Sequence, residues 1–571
     1  MPGKPSLTAT EPTGRRFAAV AAFASLHRLG APGTFGRIPA ACRAENAGGA
    51  SNEGREANMT SGRAMPDSLQ PAFGTVWNRQ LPRYPSRGVR QALLLLVVAI
   101  TVALYYELYV GGGVATLMLT ELRMPFGFFV IVLAVGNLLG AFGSLLAGLA
   151  DRFGRANLVV YGLLVVGLIT LLVIPNVTTP MQFAVATCAV SAVEGVILVA
   201  TPALMRDFSP QVGRATAMGF WTVGPVLGSL MVSAVNTLTL PTFQTWQSQF
   251  RICGLIGLLL FVVAFVGLRE LAPALRDQLM VSERDRVLVE LRAKGLDVEH
   301  SLRHPWRQVL HLDVLGSALG VSTLLIFYYT AVAFGTIQLV TLFHFTMAQA
   351  NALANWSWTA NAVALVVAGV LSDRLRVRKP FMLVGGIGGG LVIYLWLIQI
   401  GQHPAFATLV AISCAQSVLV GFAYTAWMAS FTETVEARNP ALTATGLAVW
   451  GWLLRLVVTA CFLALPHVVN TVTPLIEAPP YLAAYRQALA SHATPSPDLL
   501  AHLAEIQQAA AATAGQWRTW TWVCIAGVAL FVATIFTMRG RWSPAAARAD
   551  EAAHDALVAR EVAALQARPA T

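Results

Sequence analysis

Ala-Gly-Leu-Ala-Asp-Arg-Phe-Gly-Arg-Ala-Asn-Leu (residues 147–158) decides how this chain of 571 residues is read. It is the one charged interruption in an apolar stretch that runs from Phe126 to Pro175. A weaker copy, Ala-Gly-Val-Leu-Ser-Asp-Arg-Leu-Arg-Val-Arg-Lys-Pro, occupies residues 368–380. Asp151-Arg152 and Asp373-Arg374 stand 222 positions apart. The spacing predicts an internal duplication, with two similar apolar bundles in one chain.

Composition explains what those bundles are. Hydrophobic residues make up 56% of the chain and charged residues only 12%, with a mean hydropathy of +0.62. Soluble domains are about a quarter charged. The apolar residues fall into separate runs of about 20, the length of helix that crosses a hydrocarbon core of about 30 Å. We place twelve such segments near 92–115, 126–148, 157–175, 181–203, 215–236, 252–268, 314–341, 352–372, 381–401, 405–428, 444–465 and 519–538. The expected fold class is therefore an all-α polytopic membrane protein of twelve transmembrane helices in two pseudo-repeated six-helix bundles.

The net charge of +11 raises the question of a nucleic-acid partner, and its distribution answers it. Twenty-six Lys and Arg fall in one alternating set of connections and four (Arg123, Arg251, Arg486, Arg518) in the other. Basic residues stay on the cytoplasmic side, so this is a topology signal and not a nucleic-acid patch. Both termini and the central loop are predicted to be cytoplasmic in a multi-pass protein of the plasma membrane (the inner membrane of a bacterium). The six Cys have neither metal-ligand spacing nor a disulfide framework, so no metal and no cofactor is expected.

The expected domains follow from these runs. Residues 1–87 read as a disordered tail, with Met59 or Met65 as an alternative start. Arg15-Arg16 and Phe17 to Leu26 imitate an export signal, but the apolar part is too short. Residues 88–269 form the first bundle, 270–311 a central loop with an amphipathic helix over Val281 to Leu291, and 312–542 the second bundle. The second bundle carries an outer insert at 467–516, expected as a helical flap because its stretch from Leu499 to Thr513 is Ala-rich. Residues 543–571 form a cytoplasmic tail.

Twelve segments, a six-plus-six division and the 147–158 signature resemble the major facilitator superfamily, over about residues 88 to 542. Its loop pattern Gly-x-x-x-Asp-Arg-x-Gly-Arg is met by Asp151, Arg152, Gly154 and Arg155, with Ala147 in place of the first Gly. Gly369, Asp373 and Arg374 match in the second half, where the second Gly is missing. The resemblance implies a secondary transporter that works by alternating access around a midplane site. It also implies a gating role for Asp151, Arg152, Gly154, Arg155, Asp373 and Arg374, as a latch that breaks when the bundles rock. The alternative is that these charges only fix topology. The duplication extends to Tyr105-Tyr106 and Tyr328-Tyr329, 223 apart, and to Trp221 and Trp450, 229 apart.

Three charges lie well inside apolar segments: Glu107, Glu194 and Arg455. A charge at mid-bilayer costs about 2.5–3.5 kcal/mol on insertion scales, so each needs a cavity or a partner. Thr187, Ser191 and Thr201 share the stripe of Glu194 at helical spacing. In the resembled family the first, fourth, seventh and tenth helices line the cavity, helped by the second, fifth, eighth and eleventh. All three charges fall on those helices. Glu107 and Glu194 are the expected proton-coupling sites, because desolvation favours the neutral form of a carboxyl group and lets it exchange a proton. Arg455 offers a planar fork for an anionic group of the solute. The competing reading is a structural Glu–Arg ion pair. Tyr105, Tyr328, Tyr329, Asn355, Gln416 and Tyr424 complete the expected substrate-binding set, with Gln338, Asn361 and Trp427 as further candidates.

Gly224, Pro225 and Gly228 resemble the Gly-Pro-x-x-Gly-Gly signature of the family's antiporters, with Ser229 in place of the last Gly. The expected function is thus proton-coupled transport of a small organic solute, an organic or aromatic acid, by a monomer. The alternatives are drug or metabolite efflux by proton antiport and, from another class, a non-transporting receptor. No nucleophile–base or metal constellation points to an enzyme, so no catalytic residue is assigned.

Overall fold

The computed structural model describes residues 79–145, 153–209, 222–273, 311–438, 443–492 and 494–538, with parts of 542–560. Among these residues twelve helices are long and apolar enough to cross a membrane. In a bilayer each backbone N–H and C=O must be paired within the segment, and these apolar runs meet that demand as helices. The first six are α1 (Arg87–Gly113), α2 (Phe126–Leu145), α3 (Arg155–Leu168), α4 (Pro180–Phe208), α5 (Gly224–Phe243) and α6 (Trp246–Gly267). The second six are α7 (Leu312–Phe343), α8 (Met347–Leu375), α9 (Lys379–Gln399), α10 (Phe406–Arg438), α11 (Thr443–Val468) and α12 (Pro497–Ile535). Leu238 and Val266 are 77% and 68% exposed, an outward apolar surface suited to lipid rather than water.

Two helices depart from regular geometry. α3 runs on as a π turn (Ile169–Val173) and a 3-10 turn (Ile174–Asn176) that contains Pro175. α7 breaks at Leu325. In the first bundle α2 packs on α4, α1 on α5 and α6, and α3 on α6; in the second, α8 and α9 pack on α10 and α12 packs on α7 and α9. The bundles meet through α2–α11, α5–α8 and α1–α7. The α2–α11 and α5–α8 seams exchange when the halves are swapped, as a duplicated architecture requires.

Small residues set how closely these helices approach. A Cβ on Gly143 of α2 would lie 2.7 Å from the Ala192 carbonyl of α4, and one on Gly195 of α4 would lie 2.7 Å from Gly140 Cα. Lipid gives helices little hydrophobic reason to associate, so such close backbone contact supplies the packing. The hydrogen bonds described between the bundles lie from mid-membrane to the end opposite the basic loops. Thr336 Oγ1 donates to the Gly112 carbonyl (2.5 Å), Asn351 Nδ2 to the Gly113 carbonyl (3.3 Å), and Asn236 Nδ2 to Asn351 Oδ1 (3.2 Å).

Three boundaries differ from the sequence reading. The tail expected over 1–87 ends earlier, because Gln80–Leu81 (β1) pairs in parallel with Glu270–Leu271 (β2). Arg79, 2% exposed, anchors that pair by donating to the Phe265 carbonyl (2.5 Å) and stacking 4.8 Å above its ring. Burial, and then the nearby Arg79 charge, hold the Arg269 guanidinium below its usual pKa. The helix of the last span begins at Pro497 and not near 519, since the Ala-rich stretch continues into the apolar run through Gly515 with no Pro to end it. The insert is a helix over Val472–Ala490 packed against the start of α12, with Tyr481 and His502 rings stacked at 4.5 Å. Thr473 Oγ1 accepts from the Phe126 amide at the head of α2, so this hairpin ties the insert to the first bundle. The amphipathic helix expected over Val281 to Leu291, Trp221, and the pair Asp151-Arg152 lie outside the described residues.

Candidate functional site

The site is built where α1, α2, α4, α7 and α11 converge. Arg455 reaches from α11 toward α2, and its Nη1 donates to the Asn137 carbonyl at 3.5 Å. Asn137 Nδ2 returns two hydrogen bonds of 2.9 Å, to the Arg455 carbonyl and to Thr459 Oγ1. A Cβ on Gly140 would lie 2.9 Å from Arg455 Nη1, so glycine there leaves the guanidinium its room. Arg455 has no ion pair among the described residues. The Glu–Arg pair that competed with the anion-site reading is therefore not formed in this arrangement.

Tyrosines surround this cation. Tyr105 and Tyr109 of α1 lie 5.5 Å apart between ring centroids, and Tyr328 and Tyr329 of α7 lie 5.2 Å apart edge to face. Tyr105, Tyr109 and Tyr329 are all within electrostatic reach of Arg455. Tyr424 stacks on Trp427 at 6.3 Å and sits 6.3 Å from Trp450. Of the duplicated tyrosine pairs read from the sequence, Tyr105 lies within electrostatic reach of Tyr329, whereas Tyr106 is buried in the first bundle beside Cys253 and Glu107.

Both carboxyl groups are inside the first bundle. Glu107 and Glu194 are 4% and 1% exposed, and none of their four oxygens has a hydrogen-bond partner. Glu194 is in electrostatic reach of both Glu107 and Arg455. Glu107 does not face the cleft. Its carboxyl lies against Gly257 of α6, behind the tyrosine face of α1. A buried carboxylate without donors is costly, and a neutral carboxyl much less so.

Asn355 is engaged elsewhere. It accepts from Ser233 Oγ (2.8 Å) and donates to Thr237 Oγ1 (2.9 Å), which makes it a strut of the α5–α8 seam. Gly224 and Gly228 seat α5 on α1: Cβ atoms there would lie 2.6 Å from Thr101 Cγ2 and 2.5 Å from Tyr105 Cβ. Pro225 falls in the first turn of α5, so it ends no described hydrogen-bond ladder and kinks no described helix. Gln416 and Tyr328 line a cavity of about 110 Å³ in the second bundle.

The basic-loop end carries matching ion pairs in the two halves. Arg155 Nη1 bonds both Asp207 oxygens (2.9 and 3.0 Å) at the end of α4, and its amide donates to Glu270 Oε2 (2.7 Å). Gly154 permits that approach, with φ of 89° and Glu270 against its Cα. In the second half Arg378 bonds Asp373 (2.7 Å) and Glu433 (3.1 Å) at the end of α10. Burial alone lowers the Arg378 pKa, but Glu433 and Asp373 outweigh it and raise it. Arg374, assigned to the gate with Asp373, has no partner among the described residues. Asp207, Glu270 and Glu433 escaped the sequence reading. The repeat could have found two of them, since Arg155–Arg378 and Asp207–Glu433 are 223 and 226 apart. Asp207→Asn is expected to lower stability by about 1–3 kcal/mol, read as thermal unfolding in detergent. Glu433→Gln is expected to cost less, because Glu433 is 38% exposed against 7% for Asp207.

The sequence profile of the Major Facilitator Superfamily matches residues 92–348. Over those residues, a little under half of the chain, the sequence matches the major facilitator superfamily. Members of that superfamily are membrane transporters, and this chain has twelve candidate spans among its described residues, in two bundles. Solved structures of this fold include a bacterial homolog of the human lysosomal transporter Spinster, inward-facing and occupied. It is 15% identical, with a TM-score of 0.54 over 79% of this chain and 97% of that one. The D-xylose-proton symporter is 14% identical, with a TM-score of 0.57 over 80% and 98%. The xylose transporter XylE from E. coli, partially occluded and inward open, is 14% identical, with a TM-score of 0.51 over 66% and 91%. At these identities the likeness is one of fold. No curated protein matches the chain in sequence.

Proposed function

We propose that this superfamily member is a proton-coupled transporter of a small organic acid. The observation that carries the proposal is Arg455, a cation between the bundles with tyrosines around it and no ion pair among the described residues. A permanently charged guanidinium in mid-membrane needs an anion or water, and its planar fork matches a carboxylate. Glu194 takes the proton. It is buried, unpartnered and in electrostatic reach of Arg455, so loading the anion site and protonating the carboxyl are coupled by charge. Glu107 serves as a second proton position deeper in the bundle.

Alternating access then consists of rocking the bundles about the α2–α11 and α5–α8 seams. The Arg155–Asp207 and Arg378–Glu433 pairs stiffen the basic-loop end of each bundle, and Asp151, Arg152, Asp373 and Arg374 complete the latch there. By the basic-residue rule that end faces the cytoplasm, in the plasma membrane, and one chain suffices for the cycle. A solved protein of the same fold, the D-xylose-proton symporter, agrees with this coupling.

Efflux by proton antiport is the second reading, favoured by Gly224, Pro225 and Gly228 where α5 packs closely on α1. Reconstituted vesicles under imposed pH gradients, offered radiolabelled organic acids and cationic dyes, test both. Acid accumulation on the alkaline side supports symport. Dye movement in the opposite sense, with no acid uptake, replaces it with antiport.

A further inference from the structure

The second bundle holds a cavity of about 110 Å³ lined from α7, α8, α9 and α10, with α1 and α5 along one edge. That is the scale of the roughly 150 Å³ apolar cavity that takes up benzene. Its walls include the flat rings of Phe327, Tyr328, Trp358 and Trp396. Its lining contains no Asp, Glu, Lys or Arg. Gln416 and Trp396 in its lining are nearly buried and unpartnered, and the buried Tyr328 hydroxyl also has no partner. Gln416 is 5% exposed and neither Oε1 nor Nε2 has a hydrogen-bond partner; Trp396 is 5% exposed and its Nε1–H has none. The neighbouring polar groups are already engaged: Asn361 Nδ2 donates to the Ser417 carbonyl (2.6 Å) and Ser357 Oγ pairs with Ser417 Oγ (2.7 Å).

Buried amide and indole groups left without partners are costly, and an apolar pocket with a few such groups is suited to a ligand. The amide both donates and accepts, as a hydroxyl does, and the indole N–H asks for one more acceptor. We infer that this cavity receives the uncharged, hydroxyl-bearing ring of the transported acid, with Gln416 and Trp396 holding the ring hydroxyl. The inference rests on the acid-transport reading, because Tyr109 both lines the cavity and lies in electrostatic reach of Arg455. One solute can then place its carboxylate at Arg455 and its ring among the α7–α10 aromatics. Trp396 is unexpected here, since α9 belongs to the set counted as outer by resemblance.

The test is equilibrium binding to the purified full-length protein by titration calorimetry. Benzoate against 4-hydroxybenzoate forms an aromatic arm, and cyclohexanecarboxylate against quinate an alicyclic one. In at least one arm the hydroxylated acid is expected to bind about tenfold more tightly than its parent, the effect of one or two satisfied hydrogen bonds. Gln416→Leu is expected to remove that preference, and size-exclusion of the detergent-solubilised variant reports a folded protein. Trp396→Phe is expected to reduce it partly. A preference absent from both arms, or intact in Gln416→Leu, overturns the inference. If no acid binds, the acid-transport reading fails by itself, and phenol and myo-inositol then probe the cavity alone. Binding of either that is lost in Gln416→Leu keeps the ring site, and no binding of either removes it.

Discussion

Arg455→Gln is expected to abolish transport of organic acids, with a loss of at least about thirtyfold in affinity. Truncating one partner of a desolvated charge pair costs about 2–5 kcal/mol, so the upper end exceeds a thousandfold. Gln keeps a hydrogen-bond donor near the Asn137 carbonyl, to which Arg455 Nη1 donates at 3.5 Å, so the α2–α11 seam has a replacement contact. Asn137 still donates to the residue-455 carbonyl and to Thr459, which do not depend on the guanidinium. The variant is therefore expected to insert and fold, and size-exclusion of the detergent-solubilised protein checks this beside uptake. Arg455→Lys is expected to recover only part of the activity, because a point charge lacks the two-pronged geometry of guanidinium. Full uptake in Arg455→Gln would remove the anion site from α11.

Glu194→Gln is expected to have the second large effect, and of a different kind. Gln is nearly isosteric and neutral, so it resembles the protonated carboxyl and cannot release a proton. Uphill accumulation under a pH gradient is expected to fall to background, while exchange of labelled for unlabelled solute persists. Glu107→Gln is expected to act more weakly, because its carboxyl faces Gly257 within the first bundle and not the cleft. Equal loss in both variants would assign the two carboxyls to one relay. Retained coupling in both would place the proton elsewhere.

The pattern of these expectations reflects what a linear sequence encodes. The spans were legible because burying backbone in lipid demands about 20 apolar residues in a row, and such runs need no tertiary information. The meeting of Tyr105 with Tyr329 was foreshadowed by the duplication. Side-chain direction was not. Glu107 and Tyr105 are two residues apart on α1, which at 100° per residue turns the carboxyl away from the tyrosine face. Asn355 looks like a cavity amide in sequence, yet Ser233 and Thr237 on α5 engage it. Trp396 was passed over because α9 counts as peripheral, although its indole reaches the second-bundle cavity. The start of α12 differs for another reason: an Ala-rich helix joins an apolar helix with only Gly515 and no Pro at the border, and the helix continues through that glycine. The loop at 147–158 remains the best family signature. Of its charges, Arg155 has its partners in Asp207 and Glu270, whereas Asp151 and Arg152 lie outside the described residues.

The most direct measurement is the movement of protons when solute is added to reconstituted vesicles with no imposed gradient. Quinate or 4-hydroxybenzoate is added outside, and external pH is followed against protein-free vesicles and vesicles carrying Glu194→Gln. Coupled entry of acid and proton predicts alkalinisation of the medium with wild-type protein only. Labelled acid entering at the same rate with no pH change beyond the two controls would contradict proton coupling at Glu194.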